Sequence, residues 1–169
     1  MDKIGIFYGS SMGYSEHVAH LIQQGFGAEH ADVFNVTDAT KEDLEKYKNI
    51  IYGCSSWGPE ELQEDMEDFF HEVISKLDHN GRKVALFGLG DQEIYGKHFV
   101  ESLGILYAEL KDLNADLIGE WSTDGYEFEF SEAAFDGKFV GLVVDEENQE
   151  DLTVGRVEQW VAQLKKEFI

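Results

Sequence analysis

The 169-residue chain reads as an α/β protein built on a doubly wound parallel sheet. Two observations predict this. Segments with strand character alternate with segments of helical periodicity along the whole length, the pattern of a sheet covered by crossover helices. The first, third and fourth strand segments are near-continuous apolar runs without in–out alternation, as expected of parallel strands buried on both faces. A third observation locates the functional edge. The loops after those three strands carry the unusual residues, and in such sheets ligands bind at the carboxyl ends of the strands, near the topological switch point.

Residues 3–8 form the first strand, with Ile4, Ile6 and Phe7 in an apolar run. Residues 14–26 form the first helix, because Val18, Leu21, Ile22 and Phe26 fall on one face at helical spacing. A short second strand (32–36) and a short helix (41–46) follow. The third strand, 49–54, is centred on Ile50, Ile51 and Tyr52. In the next helix, 63–77, Met66, Phe69, Phe70, Val73, Ile74 and Leu77 share a face. The fourth strand is 83–87, and the helix after it, 97–113, presents Phe99, Leu103, Tyr107 and Leu110. Segments 117–121 and 139–144 are strand-like. Between them, 122–138 reads as a satellite loop: Asp124-Gly125 marks a tight turn, and Tyr126, Phe128 and Phe130 alternate with Glu127 and Glu129. A last helix, 152–168, buries Val157, Trp160, Val161, Leu164 and Phe168. No repeat, linker or low-complexity tract interrupts the pattern, so a single domain over residues 1–169 is expected.

Composition narrows the function. The net charge is −22, from 13 basic and 35 acidic residues. Nucleic acid and acidic membrane surfaces would be repelled, so neither is an expected partner; a basic protein met by electrostatic steering is. No apolar run approaches the roughly 20 residues of a membrane span. The N-terminus carries no basic-then-apolar leader, so a cytoplasmic protein is expected. Cys54 is the single cysteine, which excludes an intramolecular disulfide and a cysteine-held iron–sulfur cluster. Cys54 itself, at a strand end, reads as a small core residue. His17 and His20 lie one turn apart on the first helix but read as a solvated face rather than a metal site. His-Glu-x-x-His, Gly-x-Gly-x-x-Gly and Gly-Lys-Ser/Thr patterns are missing, and no catalytic residue is assigned.

The three loops carry the chemistry. Gly9-Ser10-Ser11-Met12-Gly13-Tyr14-Ser15 joins the first strand to the first helix. Such a loop offers unpaired N–H groups, hydroxyls and the positive end of a helix dipole to an anion the size of a phosphate. No Lys or Arg lies between Lys3 and Lys41, so neutral dipoles alone would hold it. Cys54-Ser55-Ser56-Trp57-Gly58-Pro59-Glu60-Glu61-Leu62 follows the third strand, and Gly88-Leu89-Gly90-Asp91-Gln92-Glu93-Ile94-Tyr95-Gly96 the fourth. Each has one large aromatic between glycines. A Trp and a Tyr on neighbouring loops can sandwich a flat ring.

In order and spacing these segments resemble the flavodoxins, small electron carriers that bind flavin mononucleotide (FMN), and within them the long-chain, cyanobacterial-type branch. The resemblance runs along the whole chain. Residues Ser10 to Ser15 match the family's Thr-x-Thr-Gly-x-Thr phosphate loop, Trp57 to Gln63 its Trp-bearing loop, and Gly88 to Gln92 with Tyr95 its Gly-Leu-Gly-Asp-Gln and following Tyr. Trp121-Ser122-Thr123-Asp124-Gly125-Tyr126 matches the insertion that interrupts the last strand in long-chain members, and the stretches from Val143 and from Trp160 are similar too. The resemblance implies a flavodoxin-like, five-stranded parallel sheet in order 2-1-3-4-5. It implies that Ser10, Ser11, Met12, Gly13, Tyr14 and Ser15 cradle the FMN phosphate and that Ser55 and Ser56 line the ribityl side. Trp57 and Tyr95 would cover the two ring faces, with Gly58 at the turn beside Trp57. Gly88, Leu89, Gly90, Asp91 and Gln92 would hold the pyrimidine edge, and Asp145 would reach the ribityl chain.

It also implies a low-potential one-electron carrier with no substrate turnover of its own, a monomer that shuttles electrons between reductase donors and low-potential acceptors with basic patches. Negative charge from Glu60, Glu61, Glu64, Asp65 and Glu93 beside the flavin would oppose full reduction and lower the second potential by more than about 100 mV. Two departures stand out. Met12 replaces a hydroxyl donor, a loss of ~1.5–3 kcal/mol if its bond to the phosphate is not remade. Pro59, the only proline, has no N–H and so cannot donate to the oxidised flavin, while the Gly58 carbonyl can still accept from the semiquinone. Pro59→Ala is then expected to lower the first reduction potential. Two other readings of the pattern are an FMN-dependent reductase with two-electron chemistry and a receiver-type signalling module. The latter needs acidic residues where Ser10, Ser11, Ser55 and Ser56 stand.

Overall fold

The computed structural model describes residues 1–56 and 61–169. Trp57, Gly58, Pro59 and Glu60 lie outside the described residues, and with them the ring-covering role of Trp57, the turn at Gly58, the missing donor of Pro59 and the charge of Glu60.

β1 (Ile4–Gly9), β2 (Ala31–Asn35), β3 (Asn49–Ser55) and β4 (Lys83–Leu89) are parallel, with β1 between β2 and β3 and β4 beyond β3. The fifth position is shared by two short segments. β5 (Asp116–Ile118) pairs with the first half of β4, Lys83↔Asp116 to Ala85↔Ile118, and β9 (Leu142–Val144) with its second half, Phe87↔Leu142 to Leu89↔Val144. The order is therefore 2-1-3-4-5 with the last strand interrupted.

Every central strand buries both faces, which is why the sequence shows apolar runs there. Ile4, Ile6, Ile51, Ala85 and Phe87 face one core together with Val18 and Ile22 of α1 (Tyr14–Phe26) and Val157, Trp160 and Leu164 of α5 (Thr153–Glu167). Their neighbours Phe7, Ile50, Tyr52, Val84 and Leu86 face the other, against α3 (Glu64–Glu72) and α4 (Glu101–Asp112). A fifth, short helix, α2 (Lys41–Glu45), carries a capping box between Thr40 and Asp43.

Three elements depart from the sequence reading by more than two residues. α3 stops at Glu72, and residues 74–76 continue as a 3₁₀ turn. α4 starts at Glu101 rather than Lys97, because Val100 sits in the left-handed region (φ 49, ψ 41) and the Phe99 N–H donates to the distant Phe130 carbonyl (3.3 Å). The interrupted strand leaves the sheet earlier on both sides than expected. Gly119 turns the chain at φ 84. β6 (Trp121–Ser122) and β7 (Ala134–Phe135) then flank β8 (Lys138–Phe139) in a small antiparallel sheet of their own.

Candidate functional site

A cleft of about 390 Å³ opens at the carboxyl edge of the sheet, walled by the loops after β1, β3, β4 and β9. The first wall is the serine-rich loop into α1. Gly13 adopts φ 88 and is the residue before the helix. An added Cβ there would meet nothing within 4 Å, so the glycine is needed for its backbone angle and not for space. The Gly13 N–H donates to Ser10 Oγ (2.9 Å), which folds the loop back on itself. Its carbonyl accepts the first helical bond, from His17 (3.0 Å). The amides at the start of α1 therefore have no intrahelical acceptor. Ser15 lines the cleft yet is 1% exposed, and its hydroxyl has no hydrogen-bond partner among the described residues.

The second wall is Ser55 and Ser56. Ser56 Oγ donates to Ser102 Oγ (3.1 Å) and accepts from the Ser102 N–H (3.3 Å), so it also ties β3 to the start of α4. Cys54 behind them is fully buried, and burial pushes its thiol up to about 12, consistent with a core residue.

The third wall is built around Asp91. Its Oδ1 accepts from the N–H groups of Glu93 and Ile94 (both 3.0 Å) and from Asn148 Nδ2 (2.8 Å). Burial opposes the charge, but the bonds from Ile94, Asn148 and Glu93 outweigh it and hold the carboxyl below the ordinary carboxylate range. This turn carries Ile94 and Tyr95 to the mouth of the cleft, where both remain exposed.

Of the residues expected from the sequence, Ser10, Ser11, Met12, Tyr14, Ser15, Ser55, Ser56, Leu89, Gly90, Asp91 and Tyr95 meet in this one cleft. Gly13, Gly88, Gln92 and Asp145 do not line it. Gly88 lies inside β4, where a Cβ would sit 2.6 Å from Leu103 Cγ; it admits α4 to the sheet. Asp145 is completely buried. Its Oδ1 accepts from the Glu147 and Asn148 N–H groups, and its Oδ2 from the N–H and side-chain amide of Gln92 and from Asn148 Nδ2. With those bonds its carboxylate is committed to the protein interior.

Five lining residues escaped the sequence reading: Ile94, His98, Val100, Glu146 and Glu147. Glu146 and Glu147 directly follow β9, so the rule that ligands sit at strand carboxyl ends, applied to the last strand as well, would have found them. Ile94 could have been noticed as an apolar side chain in a polar loop; nothing in the sequence marks Val100. Glu146 is held above the ordinary range by burial, with the charge of His17 opposing and Glu150 and Asp145 reinforcing the shift. No Lys or Arg is among the described residues lining the cleft.

Fold and cleft together define a doubly wound α/β protein whose ligand site spans the switch-point edge, with hydroxyls and helix amides at one end and an aromatic and apolar wall at the other. Known proteins agree with that class. A flavodoxin family model matches residues 6–160. The chain is 43% identical over 169 residues to the flavodoxin of Trichodesmium erythraeum, covering 99% of each chain. It is 45% identical over 166 residues to that of a Nostoc strain, covering 98% of this chain and 97% of the other. Among solved structures, the flavodoxin of Fusobacterium nucleatum bound to flavin mononucleotide superposes with a TM-score of 0.93 at 31% identity, over 100% of both chains. The chain belongs to the flavodoxin family.

Proposed function

We propose that this chain holds FMN non-covalently in the cleft and serves as a low-potential one-electron carrier between redox proteins, without substrate turnover of its own. The observation that carries this reading is Ser15: a buried hydroxyl, unpartnered among the described residues, at the start of a helix and lining the cleft. Leaving such a group without a partner is costly, and a phosphate oxygen is the acceptor it fits. When bound, FMN supplies a ring that accepts and releases electrons singly. Everything else is done by the chain. Ser10, Ser11, Met12 and Tyr14 surround the phosphate with Ser15, on the turn that Gly13 closes. Ser55 and Ser56 border the ribityl chain, joined there by Glu146 and Glu147. Leu89, Gly90 and Asp91 face the pyrimidine edge. Tyr95 covers one ring face; Trp57, which the family resemblance assigns to the other, lies outside the described residues.

The charge of the chain sets the direction of the redox behaviour. Glu146, Glu147 and Asp91 line a cleft with no lysine or arginine among its described residues, so added negative charge on the ligand meets a field that opposes it. The same field, spread over a net charge of −22, favours basic-patched donors and acceptors. A single cytoplasmic domain acting as a monomer fits this role. No helix among the described residues is long and apolar enough to cross a membrane.

The test is the visible spectrum of the purified protein, oxidised and during stepwise anaerobic reduction. Two flavin bands that disappear in two separate one-electron stages, the first with new long-wavelength absorption, support the carrier. A protein that stays colourless after FMN is added overturns the cofactor assignment. Bleaching in one two-electron step points instead to a reductase on the same fold.

A further inference from the structure

The insertion between β5 and β9 is hydrogen-bonded through its backbone to a segment that lines the cleft. Residues 126–131 lie beside residues 92–99, the segment that carries Ile94, Tyr95 and His98. The Glu127 N–H donates to Gln92 Oε1 (2.6 Å). The Glu129 and Phe130 N–H groups both donate to the Gly96 carbonyl (2.7 and 3.0 Å), and the Phe99 N–H donates back to the Phe130 carbonyl. Ser131 Oγ then donates to the Phe99 carbonyl (2.5 Å). Side-chain packing anchors the insertion to the body of the fold: the Tyr126 hydroxyl donates to the Val143 carbonyl (2.6 Å) and accepts from Trp121 Nε1 (2.9 Å), under the Arg156 guanidinium.

Gln92 is where three segments meet. Its amide nitrogen donates to Asp145 Oδ2 (2.7 Å), as does its backbone N–H (3.1 Å), and its amide oxygen accepts from the insertion. Gln92 is 6% exposed and Asp145 is fully buried. A carboxylate can only accept and a backbone N–H can only donate. The position between them therefore needs a side chain that donates at one atom and accepts at the other, which Gln does and a hydrocarbon side chain cannot.

We infer that Gln92 is a positioning residue: it couples the insertion and the end of β9 to the Asp91–Tyr95 turn and so sets the pose of the Tyr95 ring at the cleft. The insertion is then part of the binding apparatus although only its neighbours touch the ligand space. The ligand arm of the test rests on the FMN reading above; the amide arm does not.

The experiment compares wild type, Gln92→Ala, Gln92→Glu and Ser131→Ala, first without ligand by amide hydrogen exchange and then with FMN by fluorescence titration. Gln92→Ala is expected to lower the protection of the Tyr95, His98 and Phe99 amides by roughly tenfold while amides of β1 and β3 stay protected, and to weaken FMN binding with partial loss of the ring-stacking quench of flavin fluorescence. Gln92→Glu keeps the acceptor for Glu127 and regains a donor to Asp145 only when protonated. It should match wild type at pH 5 and Gln92→Ala at pH 8, a profile that loss of packing would not produce. If Gln92→Ala does not fold, Ser131→Ala carries the same expectation from the insertion side. Unchanged amide protection in the folded variants, or a Gln92→Glu variant indifferent to pH, overturns the inference. Failure of the wild type to bind FMN would sink the cofactor reading and leave the amide arm to decide the brace.

Discussion

The Tyr52 hydroxyl lies 2.9 Å from His79 Nε2 in the interior of the protein, and His79 Nδ1 lies 2.8 Å from the Leu77 carbonyl. A carbonyl only accepts, so Nδ1 carries a proton; in the neutral ring, which burial favours, Nε2 is then the acceptor and Tyr52 donates to it. Burial lowers its affinity for a proton, with the Leu77 carbonyl opposing, Arg82 reinforcing and Asp78 opposing the shift. Because the folded value is depressed, the unfolded chain binds the proton first. The stability tied to the neutral ring is present above the ordinary histidine value of ~6.5 and is lost as pH falls below it, by at most ~1.4 kcal/mol per pH unit. Relief of acidic self-repulsion acts in the opposite direction, so the effect is read as a difference. The gap in unfolding free energy between wild type and His79→Gln should narrow from pH 7.5 to pH 5.5 in urea titrations. A constant gap would show that the ring charges without cost.

Asn49 holds both ends of the chain. Fully buried at the start of β3, it donates through Nδ2 to the Asp2 and Ile169 carbonyls (3.0 and 3.2 Å) and accepts at Oδ1 from the Ile169 N–H (3.1 Å). Asn49→Ala removes these bonds and leaves backbone groups without partners, at a cost of about 1–3 kcal/mol. Thermal melts should show the loss, and FMN affinity should not change, since the site is at the other end of the sheet.

Ser15 predicts effects of opposite sign in the two states of the protein. In the ligand-free chain, Ser15→Ala removes a buried hydroxyl that has no partner among the described residues, so stability should hold or rise slightly. With FMN, the lost bond is one to a charged group, worth ~1.5–3 kcal/mol, which corresponds to roughly ten- to hundredfold weaker binding. Calorimetry on both forms separates the two. A variant destabilised without ligand and unaltered in FMN affinity would place the hydroxyl elsewhere than at the phosphate.

Glu146 makes binding sensitive to pH. Its carboxyl is held above the ordinary range, first by burial, and it lines the cleft. The neutral form tolerates a phosphate and the ionised form repels it. FMN affinity, taken as the ratio of Glu146→Gln to wild type so that the ligand's own titration cancels, should rise with pH as wild-type Glu146 ionises. A flat ratio from pH 5 to pH 8 would mean that the carboxyl is too far from the bound ligand's charge to sense it.

How far the sequence could be read depended on where each segment finds its partners. α1 was legible to the residue, Tyr14–Phe26, because glycines with positive φ stand immediately before and after it, Gly13 at 88 and Gly27 at 97. α4 was misplaced by four residues at its start, because the Phe99 N–H is taken by Phe130, a residue far along the chain, and no local signal announces that. Asp145 was expected at the ribityl chain because the family resemblance implied it. Packing turned it inward onto Gln92 and left the neighbouring Glu146 and Glu147 at the cleft.

The sequence by itself determined the class of fold, the strand order its family resemblance implied, the acidity and the three loops that meet at the site. These follow from periodicity, composition and contiguous motifs, all of which are local. Only the tertiary structure decided that Gln92 and Asp145 support the site from behind, that Gly88 serves the packing of Leu103, and that the insertion is hydrogen-bonded to the Tyr95 loop. Those facts depend on which buried donors meet which acceptors between segments distant in the chain, and burial makes such pairing obligatory without making it visible in one dimension.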